Sequence, residues 1–265
     1  GYSSAWDRYP DSRWVGPDLW ANRLADWEIK DGRLTCTSNL PLRTVHLMTR
    51  RIGPENGTII SMVHIRNEGM AVRGSDAAAG VLLGAGGHLD YRSASLIFHS
   101  WGEGAGYFIG IDAEGKVFVR DLSEKDEFTA YAEKGLHGWK EALLRITAEN
   151  GGGEMTLLNI IAVDPSSRRV ISAIEDLRME SSLLSGNIAL VSHAGSMREN
   201  ERRFAFAHWR VRGSRTLSHR ERSTGPVVTA QYTLSRNILK MTAQLMPVTR
   251  ELCDSVDLQF TDENK

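Results

Sequence analysis

The chain is poor in cysteine. Cys36 and Cys253 are its two thiols, they lie at opposite ends, and neither sits in a CxxC or other metal spacing. A disulfide framework and a structural zinc site are therefore not expected, and both are read as unpaired thiols. Long apolar runs are also missing: none approaches the ~20 residues that a membrane-spanning helix needs. Charge of one sign is missing too. The formal net charge over 265 residues is −1, so no global basic field argues for nucleic acid as a partner. Scarcest of all is helical periodicity. Only residues 124–134 carry a plausible helical turn, which argues against a βαβ fold. No leader peptide is recognisable, and Gly1 without a Met reads as a processing or tag scar. An earlier start and a continuation past Lys265 both stay open.

What is present is a succession of short alternating runs closed by turn residues, with glycine, 25 residues in all, concentrated in the turns. Residues 2–22 hold Trp6, Trp14 and Trp20 without a sustained period and read as an ordered wrap along the outside of a sheet. Residues 26–38 form a hairpin about Asp31-Gly32. Residues 44–50 and 58–66 are paired as a second hairpin through Pro54-Glu55-Asn56-Gly57. Residues 77–85 are a small-residue strand whose glycine permits close backbone approach. Residues 107–112 and 116–121 flank another turn at Gly115. Gly138-Trp139 leads into a strand at 141–148, followed by strands at 154–163 and 169–173. The pattern predicts an all-β fold, a sandwich of two antiparallel sheets. Its bounds are residues 1–215, followed by a polar linker at 216–226. Residues 227–265 read as a β extension or the start of a second domain.

The closing stretch, residues 185–213, organises the rest. An apolar run at 188–191 and an alternating run ending in Trp209-Arg210-Val211-Arg212-Gly213 are read as the two arms of a hairpin. Strict alternation puts Ala205, Ala207, Trp209 and Val211 on an inner face. It puts Phe204, Phe206, His208, Arg210 and Arg212 on an outer one. The aromatic and basic mixture of that outer face suits a binding surface, or a surface covered by residues 227–248. Trp27, Trp139 and Trp209 are expected in the core.

Catalytic chemistry is sparse. Acid-x-acid pairs, which could serve glycoside hydrolysis, occur at Asp26/Glu28, Asp112/Glu114, Glu124/Asp126 and Glu199/Glu201, none inside a central strand. A pair converging from separate strands is invisible to this test. His88-x-Asp90 lacks a third ligand and reads as a loop anchor. No catalytic residue, metal ligand or cofactor is assigned. The glycine-bounded loop 88–106 reads as functional, with Tyr91, Arg92 and Trp101 as candidates for ligand contact. His193, Phe206, His208 and Arg210 join them from the last two strands.

Three patterns together carry a family resemblance: the Gly138-Trp139 step into LLRIT, the run MTLLNIIAVDPSSRRVISA, and GNIALVSH with FAHWRVRG. They resemble the concanavalin A-like lectin/glucanase jelly rolls, including laminin-G-type domains and the keto-disaccharide hydrolase group, over residues 20–213. The resemblance implies a concanavalin A-like jelly roll that binds carbohydrate. It also points to His193 before Ala194-Gly195 as matching a histidine familiar near that strand end. Calcium, often held near the last strand in such folds, is not supported, because the matching positions are Ala207 and His208. WVGPDLWANRLADWEIKDGRLTC and AQYTLSRNILKMTAQL are similar to the N-terminal region of bacterial proteins that carry an alkaline-phosphatase-D-like metallophosphoesterase. That likeness implies a non-catalytic accessory module, periplasmic or extracellular, whose partners are carbohydrate or a following catalytic domain. The other readings are a glycoside hydrolase of glucanase or keto-disaccharide hydrolase type, and a purely structural N-terminal domain.

Overall fold

The computed structural model describes residues 1–69, 75–96, 102–123, 128–195 and 204–259. Two large antiparallel sheets pack face to face. The first runs in the order β13 (Val170–Glu180), β12 (Met155–Val163), β11 (Glu141–Asn150), β6 (Ile59–Asn67), β15 (Phe204–Arg212), β4 (Arg33–Cys36) and β3 (Trp27–Lys30). β1 (Tyr2–Ser3) pairs on β15. The second runs β10 (Phe128–Tyr131), β9 (Val117–Asp121), β8 (Tyr107–Asp112), β7 (Ala78–Ala85), β14 (Gly186–His193), β5 (Arg43–Ile52) and β16 (Thr216–Ser218). β2 (Leu19–Asn22) also pairs on β5.

The core between the sheets is built by alternation. Val81 and Leu83 of β7, Ile109 and Ile111 of β8, and Ile188 and Leu190 of β14 meet Val63 and Ile65 of β6 and Leu144 and Ile146 of β11. Trp27, Trp139 and Trp209 are all buried in it. A second apolar cluster, including Leu82, Phe108, Phe118 and Val191, lies on the other face of the second sheet. Glycine serves that sheet at one crowded point: Gly80 faces Gly110 across β7 and β8. A Cβ at Gly80 would collide with the Ile109 carbonyl, so these two backbones approach as only glycine allows.

Several expectations need correction. Residues 44–50 and 58–66 do not form a hairpin, because β5 lies in the second sheet and β6 in the first. The same holds for the closing stretch: β14 and β15 sit in opposite sheets, and residues 196–203 between them lie outside the described residues. Such crossings between sheets are how a jelly roll closes its layers. Within the helical turn expected at 124–134, Phe128–Tyr131 is the edge strand β10, and residues 124–127 lie outside the described residues. The short helix α1 is instead Tyr91–Ser95.

β15 itself departs from strict alternation. The register on β6 shifts between Ala207 and Arg210, and His208 has φ 51. This bulge adds a residue and reverses the phase of the strand. Phe204 and Phe206 before it, and Trp209 and Val211 after it, therefore all enter the core. The outward reading of Phe204 and Phe206 does not hold.

Within the segment read as a linker, Thr216–Ser218 pairs on β5, and Thr224 donates its N–H to the Pro17 carbonyl at 2.7 Å. β17 (Val227–Ser235) and β18 (Ile238–Leu245) pair with each other in a separate two-stranded sheet, nearly all of it exposed. No helix among the described residues is long and apolar enough to cross a membrane.

Candidate functional site

The loop picked out by sequence borders a cavity of about 660 Å³. It lies where β7 ends, β8 begins and β9 ends, beside the 3-10 turn Ser181–Leu184. Its walls are laced backbone. The Gly86 N–H donates to the Gly104 carbonyl at 2.7 Å, Gly102 N–H to Leu122 O at 3.0 Å, and Leu122 N–H to Gly106 O at 3.0 Å. Gly86 has φ 78 and a Cβ there would collide with Ala94 of α1, so this turn requires glycine.

Polar residues of complementary kind line this frame. Ser123, Ser182 and Ser185 bring hydroxyls that both donate and accept, while Glu103 and Asp121 bring carboxylates that accept. Asp121 is held in place because its Oδ1 takes the Ser123 N–H at 2.8 Å and the Ser123 hydroxyl at 2.5 Å. Leu89 and Leu183, 44% and 41% exposed, add apolar surface to the lining. An open cavity of this size with a few convergent polar groups is the form of a small-molecule site.

Asp90 is not directed at a metal. It caps α1 by accepting the Arg92 N–H and Nε, each at 3.0 Å, and the Arg92 side-chain bond holds its carboxyl below the usual range. Among the described residues, no group of three or more His, Cys, Asp or Glu side chains converges to hold a metal ion.

The residues singled out by sequence are dispersed. Tyr91 and Arg92 lie just past the cavity-lining His88 and Leu89, separated from them by Asp90, and the Tyr91 ring is capped by the Arg222 guanidinium carbon 4.1 Å from its centroid. Trp101 lies outside the described residues. His193 is buried at the far end of β14, where Nδ1 accepts the Leu42 N–H at 3.3 Å and Nε2 sits 3.5 Å from Asp76 Oδ2. Phe206 is fully buried against Trp27, with ring centroids 6.0 Å apart. His208 and Arg210 are exposed on the first sheet, the opposite layer from the cavity. There His208 meets His64 edge-on at 5.3 Å.

Sequence reasoning missed Glu103, Asp121 and Ser123 in the cavity, and Phe128 and Tyr131 on the edge strand β10. The signal for the last two was Phe-Thr-Ala-Tyr, a strand-favouring quartet inside a segment taken for a helix.

No protein-family model matches the chain, and no curated protein matches it. Solved structures do. Lectin II from Ulex europaeus superposes with a TM-score of 0.54 at 12% identity, over 80% of this chain and 98% of that one. Lectin I from the same plant, in complex with the methyl glycoside of α-L-fucose, gives 0.52 at 12% identity, over 80% and 97%. The metal-free lectin I-B4 from Griffonia simplicifolia gives 0.51 at 12% identity, over 81% and 100%. With the two packed sheets, these likenesses define a concanavalin A-like jelly-roll sandwich. At 12% identity these likenesses speak to the fold alone; the ligand is a separate question.

Proposed function

We propose that this chain is a carbohydrate-binding module, non-catalytic and without a cofactor, that takes its glycan in the cavity between the glycine turns and Asp121. The observation that carries the reading is the composition of that cavity. Serine hydroxyls and carboxylates match the hydroxyls of a sugar, and Leu89 and Leu183 can meet its C–H face. The lectin fold supports it, and lectin I from Ulex europaeus itself holds a fucoside. A glycan array probed with the wild type and with Asp121→Asn tests it. Retention of one glycan class, lost in the variant, is expected; a blank array overturns it.

The module is proposed to belong to a larger secreted bacterial protein, periplasmic or extracellular. The alkaline-phosphatase-D resemblance supplies a metallophosphoesterase as its parent enzyme. A following catalytic domain is then its second partner. In support, Tyr232, Leu234, Leu239 and Met241 share one exposed face of the β17–β18 hairpin.

One observation favours glycoside hydrolysis as a second reading. Glu103 and Asp121 reach the same cavity from separate elements, as a pair of catalytic carboxyls would. Release of reducing ends from the retained glycan, abolished by Glu103→Gln, would establish it. Binding without turnover would exclude it.

A further inference from the structure

Among the described residues, three arginines on the outer face of the first sheet have no acidic partner: Arg145, Arg210 and Arg212. All three are exposed, and Arg210 and Arg145 flank Met62 on one rung across β15, β6 and β11. Half-buried Met62, Leu143 and Ile161 lie among these charges. On the strands from β3 to β11 the acids are Glu28, Glu141 and Glu149. Glu28 lies 4.0 Å from Arg13, and Glu141 is shared by Arg33 at 3.4 Å and Arg66 at 2.8 Å. Glu149 sits at the far end of β11. The face is therefore basic and part apolar, in a chain whose net charge is −1.

The same chain carries a segment of the opposite pattern. Residues 251–259 hold Glu251, Asp254 and Asp257 interspersed with Leu252, Val256 and Leu258, and no lysine or arginine. They form no helix or strand, and Val256 and Leu258 are 49% and 51% exposed. Among the described residues, the segment's hydrogen bonds reach no further back than Thr249. It departs beside the basic face: Pro247 and Thr249 line a surface cavity with Glu28, Ile29 and Lys30 of β3, the edge strand of the first sheet. From β3 to β11 is four strand spacings, about 19 Å, and nine extended residues span about 30 Å. The segment is long enough to cross to Arg145.

We propose that residues 251–259 are a strap that docks across the outer face of the first sheet, with its carboxylates on Arg145, Arg210 and Arg212 and its apolar side chains on Met62, Leu143 and Ile161. The structure holds the strap in its released form. Surface ion pairs are individually weak, but a segment of the same chain is present at high effective concentration, so several weak contacts suffice. A second copy set face to face would oppose arginine to arginine, which like-charge repulsion disfavours. A free polyanion would use the arginines and leave the apolar side chains uncovered, whereas this segment matches both. The proposal concerns the layer opposite the cavity and stands whether or not the cavity takes a glycan.

The test is paramagnetic broadening of amide signals in the whole chain. Cys253 lies inside the strap and is partly exposed, whereas Cys36 is buried, so a nitroxide reagent applied to the native protein marks the strap alone. At low ionic strength the amides of Met62, Leu143, Arg145 and Arg210 should lose most of their intensity. In 1 M salt, where the screening length is about 3 Å, they should recover it. The combined change Arg145→Gln, Arg210→Gln and Arg212→Gln should restore them at low salt, and so should Glu251→Gln with Asp254→Asn and Asp257→Asn. Unshifted core amides in these variants report an intact sandwich. Broadening confined to β3 and the neighbouring residues 11–13, or broadening indifferent to salt and to both sets of substitutions, overturns the strap. Broadening of an isotope-labelled, nitroxide-free copy by an added spin-labelled one overturns its assignment to the same chain.

Discussion

Phe206 and Trp209 stand three positions apart on one strand, yet both point into the core. An unbroken strand would send them to opposite faces. The left-handed His208 between them supplies the extra residue that brings Trp209 back inward.

Because a side chain at positive φ costs about 1–2 kcal/mol against glycine, His208→Gly is expected to hold or raise stability by up to about 1 kcal/mol. His208→Val should lower it. Deleting His208 should drive Trp209 toward solvent and unfold the sandwich. Urea titrations followed by tryptophan fluorescence distinguish these outcomes.

The same bulge explains what was legible in the sequence and what was not. Turns at Asp31-Gly32 and Gly115 marked true hairpins, and the strands expected at 141–148 and 154–163 are β11 and β12. Those signals are local. The phase of β15 was misread because a histidine in the left-handed region has no sequence signature. The partners of β5 and β14 were misread because sheet membership depends on contacts distant in the chain. For the site, the glycines of loop 88–106 advertised it, but Asp121 and Ser182 come from elements whose convergence only the fold creates.

Arg43 is fully buried, and its Nε lies 2.5 Å from Asp26 Oδ2. Breaking a buried ion pair by removing one partner costs up to about 3–5 kcal/mol. Asp26→Ala should therefore destabilise strongly, whereas Asp26→Ala with Arg43→Met should recover part of the loss. A double-mutant cycle from chemical denaturation measures the coupling.

His64, half-buried on β6, has its pKa pushed below the ordinary 6.5, first by burial and then by His208 and Arg33. Below pH 6.5 the unfolded chain binds the proton more readily than the folded one, so this group's contribution to stability falls as pH falls. His64→Gln should flatten that part of the stability–pH curve. An NMR titration should place the His64 midpoint below 6.5; a midpoint above it would contradict this assignment.

Burial pushes the Cys36 thiol up to about 11, while Cys253 is partly exposed. Reaction with a thiol reagent at neutral pH should therefore label Cys253 in the native protein and Cys36 only on unfolding. Equal labelling rates would show that the core around Cys36 opens.

The most direct test of the central claim is an amide chemical-shift titration with the glycan retained on the array. The account predicts perturbations clustered at Gly86, Gly87, Gly104, Asp121 and Ser123. Perturbations confined to the outer face of the first sheet around His64 and His208, or to the β17–β18 hairpin, would contradict it.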